Sequence, residues 1–345
     1  MTTTRIFAIT LALANFSHTA GASYPETSAP SDRPGRFAPE ALGQDGRITL
    51  TPAFSPDGKT IYFAQSECTP IWECPQRLKR SHLKASGWSQ PERVRLPSDG
   101  RVDWPSVTPD GRRLLFSWAT KRARHVGKDV FEDFDLYVLD LDDPNATPQP
   151  LDMADINRIR GGAIRTTRYV HNETAPSLTA DGDLYFWTER LDGTGERDIY
   201  VAASNDRGGF QQARPLPTPI NSAGRDDGMS VSTDGRTMIV TYADRGGSGG
   251  ADLFVSHLTN GRWSAPINLG PSVNSPYSDF AGRLSPDGRL LVFTSDRPVG
   301  DGQPGLLQVW QISTVDLQSL AHEQVEEQAG HPGSAITRES KTSIR

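Results

Sequence analysis

An Asp-Gly pair in the setting Ser/Thr-x-Asp-Gly recurs five times along the chain, at Asp57, Asp110, Asp181, Asp234 and Asp287, with successive spacings of 53, 71, 53 and 53 residues. Three equal, ungapped intervals mark a repeat architecture, and the long interval marks a unit that carries an insertion. No other feature restricts the possible folds as much. The pairs lie in SPDGK, TPDGR, TADGD, STDGR and SPDGR. Where proline is present it presets φ at the first turn position, Asp suits the second, and Gly accepts the left-handed conformation that closes a hairpin.

Strands flank every turn. An apolar residue precedes each one (Phe54, Val107, Leu178, Val231, Leu284), and TIYFAQ, RLLFSW, DLYFWT, TMIVTY and LLVFTS follow. These runs are apolar on both faces, as expected for strands held between packed sheets. A third strand reads DLYV at Asp135, DIYV at Asp198, DLFV at Asp252 and QVWQI at Gln308. A fourth is announced by GWSQPERVRL from Gly87, GGFQQARPL from Gly208 and GRWSAPINL from Gly261. Four strands in each repeat of about fifty residues describe an all-β fold, the β-propeller of four-stranded blades.

The last unit ends near Ser313 with three strands. Residues Arg36 to Leu42 stand where an outer strand would stand before the first unit, so an N-terminal strand beside Leu307 to Ser313 is expected to complete the last blade and remove its open edge. That arrangement predicts five blades. Six is the alternative if the tail from Val315 folds back, but VDLQSLAHEQVEEQ reads as helix. The expected organisation is a signal peptide over 1–22, a linker over 23–35, a propeller over 36–314 and a helical or disordered tail over 315–345.

The S-P-D-G turns, the D-I-Y-V-type third strands, and the SDR at Ser295 to Arg297, ADRGG at Ala243 to Gly247 and TER at Thr188 to Arg190 resemble the WD40-like repeats of the TolB propeller. The resemblance covers roughly Arg36 to Thr314. It implies the propeller fold; because this repeat serves many roles, function has to be read from the site.

Net charge is −6 with no long basic run, which argues against a nucleic-acid partner. Arg5, the apolar stretch Ile6 to Phe16 and the A-x-A at Ala20 to Ala22 read as an export signal, so the chain is expected to be periplasmic or secreted, with no membrane insertion. In an oxidising compartment Cys68 and Cys74, the only two cysteines, are expected to form a disulfide. For so short a loop this contributes about 2 to 2.5 kcal/mol.

Few motifs carry recognisable catalysis. Arg190 with Asp198, and Arg245 with Asp252, recur in adjacent units and are expected to bridge the second strand to the third. GGSGG at Gly246 to Gly250 matches G-x-S-x-G, but a strand follows it where the hydrolase elbow requires a helix. HEQVE at His322 lacks the second His of a zinc motif, and DLDDPN at Asp140 lacks the Gly and Glu of a calcium loop. No cofactor is implied.

Seven or eight residues upstream of the Asp-Gly pairs stand Asp103, Glu173, Asp226 with Asp227, and Asp279. At the start of the innermost strands, they are expected to form a partial acidic ring at one channel mouth. Such a ring could bind a cation or a basic segment, supply an acid/base pair for glycosidic chemistry, or simply bond backbone N–H groups. Two large residues break the repeat: Trp104 replaces Thr51, Ala175, Gly228 and Ala281, while Arg283 replaces Ala53, Ser106, Ser177 and Ser230. Both are expected to plug or line the channel.

Two basic connections, Thr120 to Lys128 and Asp155 to His171, together with the CTPIWEC loop and its Trp72, fall on the same mouth. Long loops on a rigid scaffold are where recognition concentrates. Arg160, Arg165 and Arg168 lie there, and Arg158 with them could compensate the acids. The expected function is therefore a propeller that binds a protein or peptide of the cell envelope at this mouth without catalysis. The alternative is a carbohydrate-active enzyme, glycosidase or lyase, that uses the acids.

Overall fold

A computed structural model describes residues 33–43, 46–69, 71, 74–98, 100–121, 132–158, 172–190, 192–299 and 305–314. The signal peptide, the tail, Trp72, Arg160, Arg165, Arg168 and most of the two basic connections lie outside the described residues. Five separate antiparallel sheets follow one another along the chain. Their innermost strands are Ile48–Phe54, Arg101–Val107, Glu173–Leu178, Asp226–Val231 and Asp279–Leu284. Each packs against the innermost strand of the next sheet, and the fifth packs back on the first. The result is a five-bladed β-propeller.

The Asp-Gly turns behave as their residues dictate. Gly58, Gly111, Gly182, Gly235 and Gly288 have φ of +68°, +73°, +87°, +72° and +71°. In four turns the Asp side chain closes a small ring of bonds: Asp57 Oδ1 accepts from the Ser55 hydroxyl at 2.5 Å and from the Lys59 N–H at 3.0 Å. Asp110, Asp234 and Asp287 repeat this arrangement.

Second strands are apolar on both faces because each face meets a neighbouring blade. Five core clusters fill the five interfaces between blades. Outer strands are fragmentary: blade 1 supplies Gly87–Trp88 and Glu92–Arg93, and blade 4 supplies Arg262–Trp263 and Ile267–Asn268.

Closure uses the N-terminal segment, over a shorter stretch than Arg36 to Leu42. Gly35 pairs with Gln311 and Arg36 with Trp310, and the Phe37 N–H reaches the Val309 carbonyl at 2.9 Å. Pro39–Leu42 is a single helical turn. Proline at its start has no N–H to give to a ladder, and its fixed φ suits the first helical position. The turn drops Ala41 and Leu42 into the core with Phe37, Phe54, Phe63 and Val309. Cys68 and Cys74 are joined in a disulfide with Cα atoms 5.8 Å apart.

Candidate functional site

Residues eight positions before the Asp-Gly pairs alternate in facing with those seven before, because side chains alternate along a strand. The single acidic ring expected from the sequence is accordingly two rows. The first row is Thr49, Val102, Glu173, Asp226 and Asp279; its three acids are all fully buried. The second row carries Asp103 and Asp227, both partly exposed.

Every acid of the buried row has an arginine from the end of its own blade's second strand. Arg190 lies 3.1 Å from Glu173, Arg245 lies 3.0 Å from Asp226 and Arg297 lies 2.5 Å from Asp279. The expected Arg190–Asp198 and Arg245–Asp252 bridges are thus replaced by bridges from the second strand back to the first. Asp198 and Asp252 instead accept the N–H groups of Gly195, at 3.0 Å, and Gly249, at 3.4 Å. Each guanidinium also donates to a backbone carbonyl, that of Ile156, Ile220 or Val273, and Arg245 donates to the Pro219 carbonyl as well, at 2.7 Å. Each lies over an aromatic ring as well: Tyr200, Tyr242 and Phe293 respectively.

The residue after each of Ile156, Ile220 and Val273 is an asparagine that sequence reasoning passed over. The Asn157, Asn221 and Asn274 amides bond both the N–H and the C=O of Leu136, Ile199 and Leu253, taking the part of a neighbouring strand. Ser222 and Ser275 then cap Asp226 and Asp279 through hydroxyl and backbone N–H. The signal was present as N-S-x3-D at Asn221 and again at Asn274. Burial still pushes the Asp226 carboxyl up, against the Ser222 bonds and Arg245.

In the exposed row, Asp227 pairs with Arg197 at 2.5 Å and Arg225 at 3.5 Å. Arg158, from the described start of the second basic connection, is engaged by Asp155 and Asp192. Among the described residues Asp103 has no arginine bridge. Its Oδ1 accepts the Thr51 hydroxyl of blade 1 at 2.6 Å and the Trp104 N–H at 2.8 Å. Burial pushes its carboxyl up to about 6 from 3.8, with those two bonds and the Arg101 charge opposing the shift.

A carboxyl raised in the folded state binds its proton more tightly there than in the unfolded chain. Its contribution to stability is therefore complete below the unfolded pKa and is lost as pH rises through the folded one. Wild-type protein is expected to lose melting temperature between about pH 4 and pH 6 through this group. Asp103→Asn, which keeps an acceptor oxygen, is expected to flatten that slope and to melt higher than wild type at pH 7.5. Thermal denaturation of both proteins at pH 4.5 and 7.5 reads the difference, and parallel profiles would contradict it.

The channel itself is obstructed. Each inner strand carries a bulge that opposes two of its residues to one on the second strand. At this bulge Thr51, Trp104, Ala175 and Ala281 take left-handed φ of 52°, 51°, 54° and 54°. A bulge re-aims side chains, and here it carries Trp104 across the channel from blade 2 to blade 4. A Cβ on Gly228 would lie 2.1 Å from the Trp104 ring, so glycine is required there by close approach. Arg283 crosses in the same way from blade 5 to blade 2, donating to Ser106 Oγ at 3.3 Å and to the Pro105 carbonyl at 3.5 Å.

No family model and no curated protein matches the sequence. Among solved structures the chain is similar to a putative TolB from Agrobacterium tumefaciens, at 19% identity over 76% of this chain and 80% of that one, with a TM-score of 0.44. It is similar to TolB from Acinetobacter baumannii at 16% identity over 77% of this chain and only 54% of that one, with a TM-score of 0.43. It is similar as well to a family 117 glycoside hydrolase of Zobellia galactanivorans, at 13% identity over 81% and 90%, with a TM-score of 0.49. The five-bladed architecture rests on this chain's own sheet topology, and its chemistry rests on its own side chains.

Proposed function

We propose that the protein is a periplasmic, non-catalytic propeller that binds a protein or peptide of the cell envelope at the mouth where the inner strands begin, the partner presenting a cationic group to Asp103. The observation that carries this reading is the state of the five acids. Glu173, Asp226, Asp227 and Asp279 are each bridged by arginines of the scaffold, and among the described residues Asp103 is not. A carboxylate held by a hydroxyl and an N–H, with the Arg101 charge near it but not bridged to it, gains from an opposite charge brought by a ligand. The export signal at Arg5 to Ala22 supports the compartment. Among the described residues no helix is long and apolar enough to cross a membrane.

The enzyme reading has one observation in its favour. A carboxyl raised to about 6 suits a general acid. Glycoside hydrolysis, however, needs a second carboxylate free to act as base or nucleophile. Here the other four are neutralised within the scaffold. An affinity capture from periplasm with wild type and Asp103→Asn, repeated by calorimetry on the purified partner, tests the proposal alongside a glycan hydrolysis panel. Binding weakened by Asp103→Asn, with a melting temperature at or above that of wild type, is expected. Glycan turnover abolished by the same substitution would replace binding with catalysis.

A further inference from the structure

The mouth opposite the acids holds a cavity of ≈ 490 Å³ lined by all five blades. Its wall is an apolar collar made by the last residue of every inner strand: Phe54, Val107, Leu178, Val231 and Leu284. Exposed turn residues such as Asp234 and Gly288 form its open rim. The size is that of a small-molecule or peptide-end site, and polar atoms of serine, aspartate and arginine make up more than half of the exposed lining beside this collar.

One residue gives this pocket its chemistry. In the row Ala53, Ser106, Ser177, Ser230, Arg283, four blades place a small side chain and the fifth places a guanidinium. Arg283 forms no ion pair with any carboxylate among the described residues, and its bonds go to Ser106 Oγ and the Pro105 carbonyl, both neutral. Burial without a counter-charge pulls its guanidinium down to about 10. An uncompensated cation in a desolvated wall is costly to the fold, unlike the paired Arg190, Arg245 and Arg297. Ser106 is 2% exposed, and its hydroxyl accepts from Arg283, with no acceptor for its own hydrogen among the described residues. Ser177 and Ser230 differ, since their hydroxyls donate to the Val231 and Gly282 carbonyls of the next blade.

We infer that this cavity is a second binding site, for a monoanionic carboxylate on an apolar body, held by Arg283 and Ser106. The planar fork of a guanidinium matches a carboxylate, and the collar accommodates the carbon chain behind it. Asp234 and Asp287 at the rim disfavour a dianion such as phosphate. The same chemistry is offered by the C-terminal carboxylate of a peptide and by a small organic acid. The site is on the other mouth from Asp103, so its success or failure is separate from the proposed partner binding.

Calorimetric titration tests it with hexanoate, with acetyl-Ala-Ala-Leu bearing a free C-terminus, and with the same peptide amidated. The expected result is that wild type binds at least one free carboxylate and ignores the amide. Hexanoate alone binding would mark a small acid, and the free peptide alone binding would mark a chain terminus. Arg283→Ser is expected to weaken binding by at least about tenfold, from the loss of a charged hydrogen bond. That variant should fold, because serine already stands at this position in three blades; in carboxylate-free buffer its melting temperature is expected to match or exceed wild type. Arg283→Lys, with charge but no fork, is expected to fall between. Failure of wild type to bind either free carboxylate, or equal binding by a folded Arg283→Ser, would overturn the site.

Discussion

A chain beginning at Arg47 is expected to lose cooperative unfolding and to aggregate. Two losses coincide in that deletion. The first is burial: Phe37 and Leu42 are 5% and 1% exposed, in a cluster with Phe54, Ile61, Phe63, Val292 and Val309. Fully burying side chains of this size is worth about 1.5 to 3 kcal/mol each, so their removal costs roughly 3 to 6 kcal/mol. That is a large share of the stability of an ordinary domain. The second is the edge. Gly35 and Arg36 cover the outer side of Gln308–Ser313, whose bare backbone would then offer a template for pairing with another chain. Arg36 also reaches the Gln308 amide at 2.9 Å, and that amide donates to the Arg47 carbonyl at 2.6 Å, tying blade 5 to the entry of blade 1. Size-exclusion chromatography and a thermal melt of the truncated chain check the expectation. A monomer melting with wild-type sharpness would show that the ring closes without its N-terminal segment.

Arg190→Met is expected to cost about 3 to 5 kcal/mol, the range for removing one partner of a buried ion pair. Both side chains of the Arg190–Glu173 pair are 0% exposed, so Glu173 would be left without water to solvate it. The same substitution at the equivalent positions gives a graded comparison, since the Arg297 and Arg245 side chains are 13% and 20% exposed. Destabilisation should therefore rank Arg190 first, Arg297 second and Arg245 third in urea unfolding. Adding Glu173→Gln to Arg190→Met should recover part of the loss, because the remaining group is then neutral. Equal costs at the three positions, or no recovery in the double variant, would mean that packing over Tyr200 and the bond to the Ile156 carbonyl outweigh the charge pair.

Much of the architecture is local chemistry written several times. A turn such as SPDG closes on its own Ser and Asp side chains wherever it stands, so blade number and strand order can be read from its spacing. The disulfide is legible for a related reason, since only two cysteines are present and both lie in one short loop. Closure was legible in place but not in extent: an unpaired last blade calls for an N-terminal partner, while Pro39 hands the chain from strand to helical turn after Phe37.

The site residues were visible as types and not as a geometry. Glu173, Asp226 and Asp279 stand one residue out of phase with Asp103 and Asp227, and in a strand one residue is the difference between blade interior and channel. Likewise, Arg190 stands close in sequence to both Asp198 and Glu173, and spacing cannot say which carboxylate it meets. The backbone path decides, by turning Asp198 onto the Gly195 N–H and leaving the guanidinium to the first strand. Trp104 against Gly228 and Arg283 against Ser106, the latter 177 residues apart, are contacts across a channel that exists only once the ring has closed. What the sequence determined by itself was the repeating blade, because its turns and strands are stabilised by neighbours along the chain. Which charges are silenced and which stay available to a ligand was decided by the tertiary structure, because charge compensation depends on distance in space and on exclusion of water.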